Sequence, residues 1–458
     1  MKKLMLMAAI MVAFGCTGCG ETPVIDFSGH GEGKEEQQGG QQQGGKEEEE
    51  QPVDQGEDAP DLTGFDKVSL KSEITRVQPM TGIILWSDSN STKPWLTLEY
   101  SYMKYNDICK EKDQYDWTAM DNLLKKIAGR GHQAVVRFCY TYPGSFNSVP
   151  DYIKNEEGYE GIKYKSEDGN AEYPDWRCEE LRRFHMEFHR RFAERYDDDP
   201  RLAFVETGFG HWGEYHVYGG KFISGQTFPS KEFQAEFLSA MDGWFKHTPW
   251  LISIDAADDH YAPFHNQASL LDLNFGNFDD SFMCEDHDGY NRECWTFFGK
   301  ERYKKAPLGG EFSYYSSYDQ KHCLDAAGMY GRVFEDEVAK FHMTFIIGAD
   351  QPGKQTDARI QEAAMSMGYR FEVKDFRVKD GEALVCIANV GVAPIYRHAY
   401  VAVNGVRGDY SLRYLMPGEH TWVRIADSGI SASSCTVSIE CDHLVSKQKG
   451  IEFQANLE

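Results

Sequence analysis

The sequence predicts an α/β protein, a (β/α)8 TIM barrel followed by a C-terminal all-β sandwich. Short β-like segments alternate with amphipathic helices over most of the chain, and this alternation favours parallel strands joined by helical crossovers. After Gly368 apolar residues recur at every second position without a helical pattern between them, which is typical of a β-sandwich. The predicted segments are a signal peptide at 1–19, a disordered tether at 20–62, the barrel at 63–367 and the sandwich at 368–458.

The N-terminus has the pattern of an exported protein. Two lysines precede an apolar run at 4–14, which is too short to span a bilayer and fits a secretory signal. The run ends in Ala13-Phe14-Gly15-Cys16, which resembles a bacterial lipobox, so Cys16 is the expected lipidation site. This resemblance implies an outer membrane lipoprotein, facing the periplasm or the cell surface and anchored by acyl chains. The alternative is an ordinary cleaved signal with incidental cysteines.

Residues 20–62 are acidic, rich in glycine and almost free of apolar side chains, which predicts a disordered spacer. The whole chain has a formal charge of −25, which argues against nucleic acid as a partner. Eleven cysteines occur at irregular spacings without paired C-x-x-C sets, so we expect no metal site and no cofactor. Export permits disulfides, and Cys435 and Cys441 are one candidate pair.

Eight segments of the barrel region are predicted strands: 81–86, 95–102, 133–140, 202–207, 250–255, 277–284, 306–311 and 341–348. Two helices are clear between them. One covers 117–128 and ends at Gly129-Arg130-Gly131, and the other carries an apolar stripe made of Leu181, Phe184, Phe188 and Phe192. A doubly wound open sheet is the alternative for this region, but it would lack a glycine-rich phosphate loop after its first strand.

The C-terminal region alternates from Phe371 and Val373 onward, and turns such as Lys379-Asp380-Gly381 and Pro417-Gly418 separate its predicted strands. No polar linker separates it from the barrel. We therefore expect the sandwich to pack directly on the barrel.

Two carboxylates follow predicted barrel strands at the end where such barrels carry their active sites. The fourth strand leads into residues 208–216, where three glycines allow a tight turn around Trp212 and Glu214. The seventh ends in Gly309-Gly310-Glu311. Two carboxylates on either side of a glycosidic bond are the minimum needed for its hydrolysis. For each acid alone, the alternative is a helix cap or a partner for an arginine.

The placement of these acids on strands four and seven resembles clan A glycoside hydrolases, β-galactosidase-like barrels among them. A closer resemblance is to a bacterial family that carries the domain of unknown function 4832. Its motifs correspond to Gly208 to His216, to Gly309 to Glu311 and to the stretch Asn389-Val-Gly-Val-Ala-Pro394. The resemblance covers roughly 80–425. The resemblance to clan A implies that Glu214 is the general acid/base and Glu311 the nucleophile.

One position departs from clan A, in which asparagine usually precedes the acid/base glutamate and contacts the sugar 2-hydroxyl. That position is Gly213 in this chain. Either another group does this work, or the barrel binds sugar without cleaving it. Further candidates for substrate binding are Arg137, Tyr140, His211, Trp212, Asp258 and Trp295. Core ion pairing for Arg137, core packing for Trp295 and a solvated loop for Asp258 are the alternatives.

The expected function is therefore retaining hydrolysis of an oligo- or polysaccharide. We expect apolar walls from Trp212 and Tyr215 to raise the pKa of Glu214, and Arg137 to keep Glu311 ionised. The alternatives are a non-catalytic glycan-binding barrel and a surface lipoprotein whose sandwich contacts a partner.

Overall fold

The structure is a computed structural model that describes residues 60–433 and 435–458. The predicted signal peptide, Cys16 and nearly all of the tether lie outside these residues and remain predictions. In the described part of the chain, no helix is both long enough and apolar enough to cross a membrane.

Eight parallel strands form a closed barrel, as the sequence predicts. In chain order they are Gly82–Trp86, Leu98–Met103, Gln133–Phe138, Leu202–Glu206, Trp250–Ser253, Phe275–Phe282, Leu308–Phe312 and Phe345–Ile347. The eighth strand pairs with the first, with Ile347 opposite Ile84. This closure excludes the open doubly wound sheet.

The barrel strands are almost continuously apolar because one face lines the barrel interior and the other lies under helices. Inside the barrel, the rings of Phe204 and Phe345 stack with their centroids 5.4 Å apart. A Cβ on Gly309 would lie 2.4 Å from Cζ of Phe345. The first glycine of the predicted Gly-Gly-Glu motif is therefore required by barrel packing.

The helices cover the outer face of the barrel. The predicted helices are present as Thr118–Arg130, which ends at Gly131 with φ of 88°, and Glu179–Tyr196, whose stripe residues are all buried. The other α-helices are Tyr105–Ile108, Asp151–Lys154, Lys231–Trp244, Asp288–Phe298, Ser317–His322, Phe334–Lys340 and Asp357–Met365. Short 3-10 helices are Ser87–Ser89, Ile254–Ala257, Ala268–Asp272, Arg302–Lys304, Gln351–Gly353 and Leu412–Tyr414.

Three hairpins that the patterning did not predict interrupt the first half of the barrel. Their strands are Cys109–Glu111 with Gln114–Tyr115, Thr141–Tyr142 with Phe146–Asn147, and Ile162–Ser166 with Gly169–Tyr173. The last two lie between the third barrel strand and the helix Glu179–Tyr196. They bring additional aromatic side chains to the C-terminal end of the barrel.

The C-terminal region forms two sheets with a shared apolar core, as predicted. The larger sheet contains Phe371–Lys379, Glu382–Asn389, His420–Ala426 and Phe453–Leu457, and the smaller contains Ala399–Val403, Val406–Ser411 and Val437–Cys441. Asp66–Lys67 and Leu70–Ser72 also pair in the larger sheet. The predicted barrel segment, 63–367, thus begins with two strands that complete the sandwich. Cys435 and Cys441 are free thiols.

The sandwich packs directly on the barrel end where the strands begin, as expected. Tyr369 donates its hydroxyl hydrogen bond to the carbonyl of Pro79 at 3.1 Å, and Arg397 Nη2 donates to the carbonyl of Leu202 at 2.9 Å. The opposite end of the barrel, where the strands terminate, is therefore left to the loops.

Candidate active site

A layer of polar side chains closes the barrel interior at the C-terminal ends of its strands. Strand pairing places Tyr102 opposite Arg137 and Arg137 opposite Glu206. On the other side of the barrel Asp279 pairs with Gly310, so the next residues, Asp280 and Glu311, are neighbours on adjacent strands. Hydrogen bonds from Arg137 to Glu206 and to Asp280 bring side chains from strands three, four and six together in the barrel interior.

Arg137 lies at the centre of this layer and is completely buried. Its Nε and Nη2 donate to Glu206 Oε2 at 2.8 and 2.5 Å, and its Nη1 donates to Asp280 Oδ2 at 2.7 Å. The same Nη1 also reaches the Tyr102 hydroxyl at 3.2 Å, and the guanidinium carbon lies 3.9 Å from the centroid of the Phe278 ring. Arg137 is therefore a clamp between two carboxylates, which corresponds to the alternative of a core ion pair.

Glu206 is the last residue of the fourth strand and was not among the predicted site residues. It is fully buried and also accepts a hydrogen bond of 2.7 Å from the Tyr100 hydroxyl. Burial raises the pKa of Glu206, and the charge of Arg137 opposes this effect. A single acid at the end of an apolar strand was the available signal, but the sequence could not show that Arg137 would enclose it.

Glu214 lies at the end of a tight loop after the fourth strand. Its backbone carbonyl accepts hydrogen bonds from the amides of Phe209 and Gly210, at 3.3 and 2.7 Å. A Cβ on Gly208 would lie 2.1 Å from the carbonyl oxygen of Gly213. The glycines of this motif therefore permit the turn that the sequence predicts.

The loop also explains the departure at position 213. Gly213 has φ of 78°, and a Cβ there would lie 3.0 Å from Cδ of Arg137. An asparagine at this position would have to adopt the left-handed backbone conformation, and its Cβ would make a tight contact with Arg137. The side chain of Arg137 therefore leaves little room for a residue larger than glycine at this position.

The carboxyl of Glu214 is buried and lies beside the partly exposed side chains of His216 and Asp255. His216 Nδ1 is 3.6 Å from Glu214 Oε2 and 3.0 Å from Asp255 Oδ2. Burial raises the pKa of Glu214 to about 8, against the opposing charge of His216. The pKa of His216 rises to about 9 in spite of burial, because Glu214 and Asp255 are both negative partners.

The pKa of Glu214 is therefore raised, as expected. Its cause is the burial of the whole side chain rather than the rings of Trp212 and Tyr215 alone. Tyr215 contributes its ring to the surrounding apolar core, where it lies 5.6 Å from the ring of Phe209. Trp212 is half-buried and stands edge to face against Tyr142, with centroids 6.2 Å apart.

Glu311 ends the inward layer on the seventh strand. Its Oε1 is buried and has no hydrogen-bond partner among the described residues. Burial raises the pKa of Glu311 well above its usual range, Asp280 adds to this effect, and Arg137 opposes it. The expectation that Arg137 keeps Glu311 ionised is wrong for the unliganded protein, because Glu206 and Asp280 occupy that guanidinium.

The other predicted binding residues are not all at this end of the barrel. Tyr140 is buried, stacks on Tyr105 at 4.1 Å and contacts a helix on the outer face. Trp295 is buried and donates its indole hydrogen bond to Asp279 at 3.2 Å. Trp295 is therefore a core residue, as the alternative interpretation stated. Tyr140 is also part of the core.

His211 and Asp258 lie in loops after strands four and five. His211 is buried, its Nε2 contacts the Tyr164 hydroxyl, and burial lowers its pKa to about 3. Asp258 is half-buried and accepts a hydrogen bond of 2.8 Å from the amide of His260. His211 thus holds a hairpin against the loop of Glu214, and Asp258 stabilises its own turn.

Exposed tyrosines follow Glu311 and were missed by the sequence reasoning. Tyr314 and Tyr315 are 48% and 65% exposed, and Tyr290 and Tyr318 are also exposed. The charge of Glu311 contributes to the raised pKa of Tyr314, which places this ring within electrostatic reach of the carboxyl. The available signal in the sequence was the Tyr314-Tyr315 pair three residues after Glu311.

Glu214, His216 and Asp255 each offer one possible ligand atom, and these three atoms lie within 4.8 Å of one another. This spacing is compatible with a metal ion. The nitrogen concerned, Nδ1 of His216, already makes the contact with Asp255. The ion pair therefore accounts for the spacing of these three groups.

No protein-family model matches the sequence, and no curated protein matches it. The resemblance to the domain of unknown function 4832 therefore remains a hypothesis. Among solved structures, the chain is similar to the catalytic domain of a β-amylase from Paenibacillus polymyxa, with 12% identity, a TM-score of 0.42, and coverage of 63% of this chain and 99% of that chain.

A family 30 subfamily 8 xylanase from Clostridium acetobutylicum has 9% identity and a TM-score of 0.34, with coverage of 81% of this chain and 97% of that chain. An α-galactosidase from Thermus thermophilus has 9% identity and a TM-score of 0.38, with coverage of 69% and 66%. These structural neighbours are glycoside hydrolases. Identities and TM-scores this low carry no conclusion about this chain.

Proposed function

We propose that this chain is a retaining glycoside hydrolase that acts on an oligo- or polysaccharide, with Glu214 as general acid/base and Glu311 as nucleophile. The observation that carries the proposal is the position of these two carboxyls, with Glu214 in the loop after strand four and Glu311 near the end of strand seven. The charge of Glu214 contributes to the raised pKa of Glu311, so the two groups lie within electrostatic reach of each other. A general acid must hold its proton near neutral pH, and a pKa of about 8 meets this requirement for Glu214.

The reaction requires opposite protonation states in the two groups. Glu214 donates its proton to the leaving oxygen, while ionised Glu311 attacks the anomeric carbon. In the unliganded site the high pKa of Glu311 opposes attack. A sugar hydroxyl that donates to the unpartnered Oε1 would stabilise the ionised form, so substrate binding itself would prepare the nucleophile.

The exposed tyrosines after Glu311 support carbohydrate as the substrate class. Rings that are about half exposed offer flat apolar faces beside polar hydroxyls, as at Tyr314 and Tyr315. A sugar ring has the matching combination of apolar C–H faces and hydroxyl edges.

The N-terminal pattern adds location to the proposal, namely export and anchoring of an outer membrane lipoprotein through acylated Cys16. We expect the Cys16→Ser variant to leave the membrane fraction. Retention of both Cys16→Ser and Cys19→Ser in that fraction would contradict the lipoprotein assignment.

The direct test of the enzymatic proposal is a screen of aryl glycosides and polysaccharides with the wild type, Glu311→Gln and Glu214→Gln. Glu311→Gln should abolish turnover without unfolding the barrel. Glu214→Gln should retain the first step on substrates with activated leaving groups, which need little protonation. Wild-type turnover by Glu311→Gln would show the assignment to be wrong.

A non-catalytic glycan-binding barrel is the second candidate, and two observations favour it. Gly213 replaces the asparagine of clan A, and Glu311 has no cation of its own because Arg137 is occupied. A folded protein that binds glycans and cleaves none would establish this candidate instead.

A further inference from the structure

The mouth of the barrel contains more acids than cations. Its carboxyl groups belong to Glu206, Glu214, Asp255, Asp280 and Glu311, and the cations that face them are Arg137 and His216. Asp280 influences both proposed catalytic groups, since its charge acts on Glu214 and on Glu311. Among the described residues, carboxyl groups therefore outnumber cations at the base of the site.

Both cations are already neutralised by protein carboxylates. The guanidinium of Arg137 is completely buried, lies between Glu206 and Asp280, and is covered on one side by the ring of Phe278. His216 is held between Asp255 at 3.0 Å and Glu214 at 3.6 Å. A carboxylate or sulfate on a sugar would meet further carboxyl groups and would find neither cation available, since each cation already contacts a carboxyl of the protein.

One further cation follows the second barrel strand. Lys104 is half-buried, and its Nζ lies 4.7 Å from the centroid of the Phe146 ring in one of the hairpins. Its charge is not among the main influences on Glu214 or Glu311. We therefore treat Lys104 as the group to exclude by mutation.

The base of the site also contains hydrogen-bond acceptors without donors. Asp280 Oδ1, Glu206 Oε1 and Glu311 Oε1 are buried and have no partner among the described residues. Buried acceptors without partners are costly, and hydroxyl groups of a ligand can supply the missing donors. An anionic substituent offers only acceptors and would leave these oxygens unpaired.

We propose that the sugar ring taken by this site has free hydroxyl donors and no anionic substituent, and that Asp280 determines this selectivity. This proposal rests on the proposed function, because it concerns the same site at the C-terminal end of the barrel. It adds the class of sugar that the site accepts. Neutral hexoses and pentoses fit it, whereas uronic acids and sulfated sugars do not. Asp280 acts through its charge and through its unpartnered oxygen, without itself reacting.

The test is calorimetric binding of paired piperidine iminosugars that differ only in carrying a hydroxymethyl or a carboxylate group, in gluco, galacto and manno configurations. We expect the hydroxymethyl member of at least one pair to bind at least about 100-fold more tightly, since juxtaposed like charges are strongly disfavoured. Asp280→Asn should reduce this ratio about tenfold, and Asp280→Glu, which keeps the charge, should preserve it. Thermal unfolding of each variant identifies any loss of folding.

Asp259→Asn is the matched control, because this exposed acid lies in the loop after strand five and pairs with Lys231. It should leave the ratio unchanged. Four outcomes would each overturn the proposal. They are equal or tighter binding of the carboxylate member, binding that disappears in Lys104→Met, an unchanged ratio in Asp280→Asn, and no binding of any pair.

A second arm separates this proposal from that of hydrolysis. Aryl glycosides and their uronide counterparts carry the same leaving group. Turnover of the uronide would refute the selectivity and leave the hydrolase proposal intact. Selective binding of neutral iminosugars without any turnover would refute hydrolysis and support the selectivity.

Discussion

Replacing Arg137 with methionine tests whether the layer at the barrel mouth depends on its one buried guanidinium. The change keeps much of the side-chain volume but removes a cation that contacts Glu206 at 2.5 Å and Asp280 at 2.7 Å. Removing one partner of a buried ion pair costs about 3–5 kcal/mol, because a carboxylate is left without compensation. We therefore expect the free energy of unfolding to fall by about 3–5 kcal/mol at pH 7.

This loss should depend on pH. Without Arg137 the folded-state pKa of Glu206 rises further above its unfolded value, so protonation favours the folded variant. The stability difference from wild type should therefore be small below about pH 4 and should grow toward pH 7. Urea unfolding followed by tryptophan fluorescence at pH 4, 5.5 and 7 measures it.

The double variant Arg137→Met/Glu206→Gln is the control for this reasoning. Removing the unpaired charge should recover part of the lost stability at pH 7, even though no ion pair is restored. A single variant that loses less than about 1 kcal/mol, or a loss that is the same at every pH, would refute the account of Arg137 as a clamp.

Three other predictions concern His216, His189 and Tyr315. His216→Gln removes a positive charge 3.6 Å from Glu214, so the pKa of Glu214 should rise. The alkaline limb of the plot of kcat/KM against pH should then move up by at least about one pH unit. An unmoved limb would exclude Glu214 as the general acid. Burial lowers the pKa of His189 to about 4. Because the pKa of this histidine is higher in the unfolded chain, the protein should lose up to about 3 kcal/mol of stability as the pH falls from about 6.5 to 4. Urea unfolding midpoints measure this loss, which should be absent in His189→Gln. Tyr315→Ala, at a ring that is 65% exposed, should weaken glycan binding about tenfold in affinity electrophoresis without changing the melting temperature; unchanged migration would remove this ring from the binding surface.

The fold was largely predictable because its signals are local and repeated. The alternation of strands and helices, the stripe from Leu181 to Phe192 and the turn glycines of residues 208–213 each follow from short-range chemistry. The choice of Glu214 and Glu311 as site residues followed from the rule that barrel sites form where strands end. These predictions required no knowledge of individual contacts.

The remaining features depend on contacts between residues far apart in sequence. Arg137 was expected to serve Glu311, but the competing carboxylates of Glu206 and Asp280 come from strands four and six and become visible only in the assembled barrel. The strand Leu70–Ser72 joins the sandwich across the whole barrel sequence, and composition gives no indication of this pairing. Trp295 could not be distinguished from a stacking residue until its bond to Asp279 was known.

Covalent trapping tests the central claim most directly. The protein is incubated with a panel of 2-deoxy-2-fluoro-glycosyl fluorides, and the intact mass is measured before peptide mapping. The account predicts that at least one sugar adds a single fluoroglycosyl group to the wild type, that the group maps to Glu311, and that Glu311→Gln remains unlabelled. A label on Asp280 or another carboxylate, or hydrolysis with inversion and no label, would contradict it.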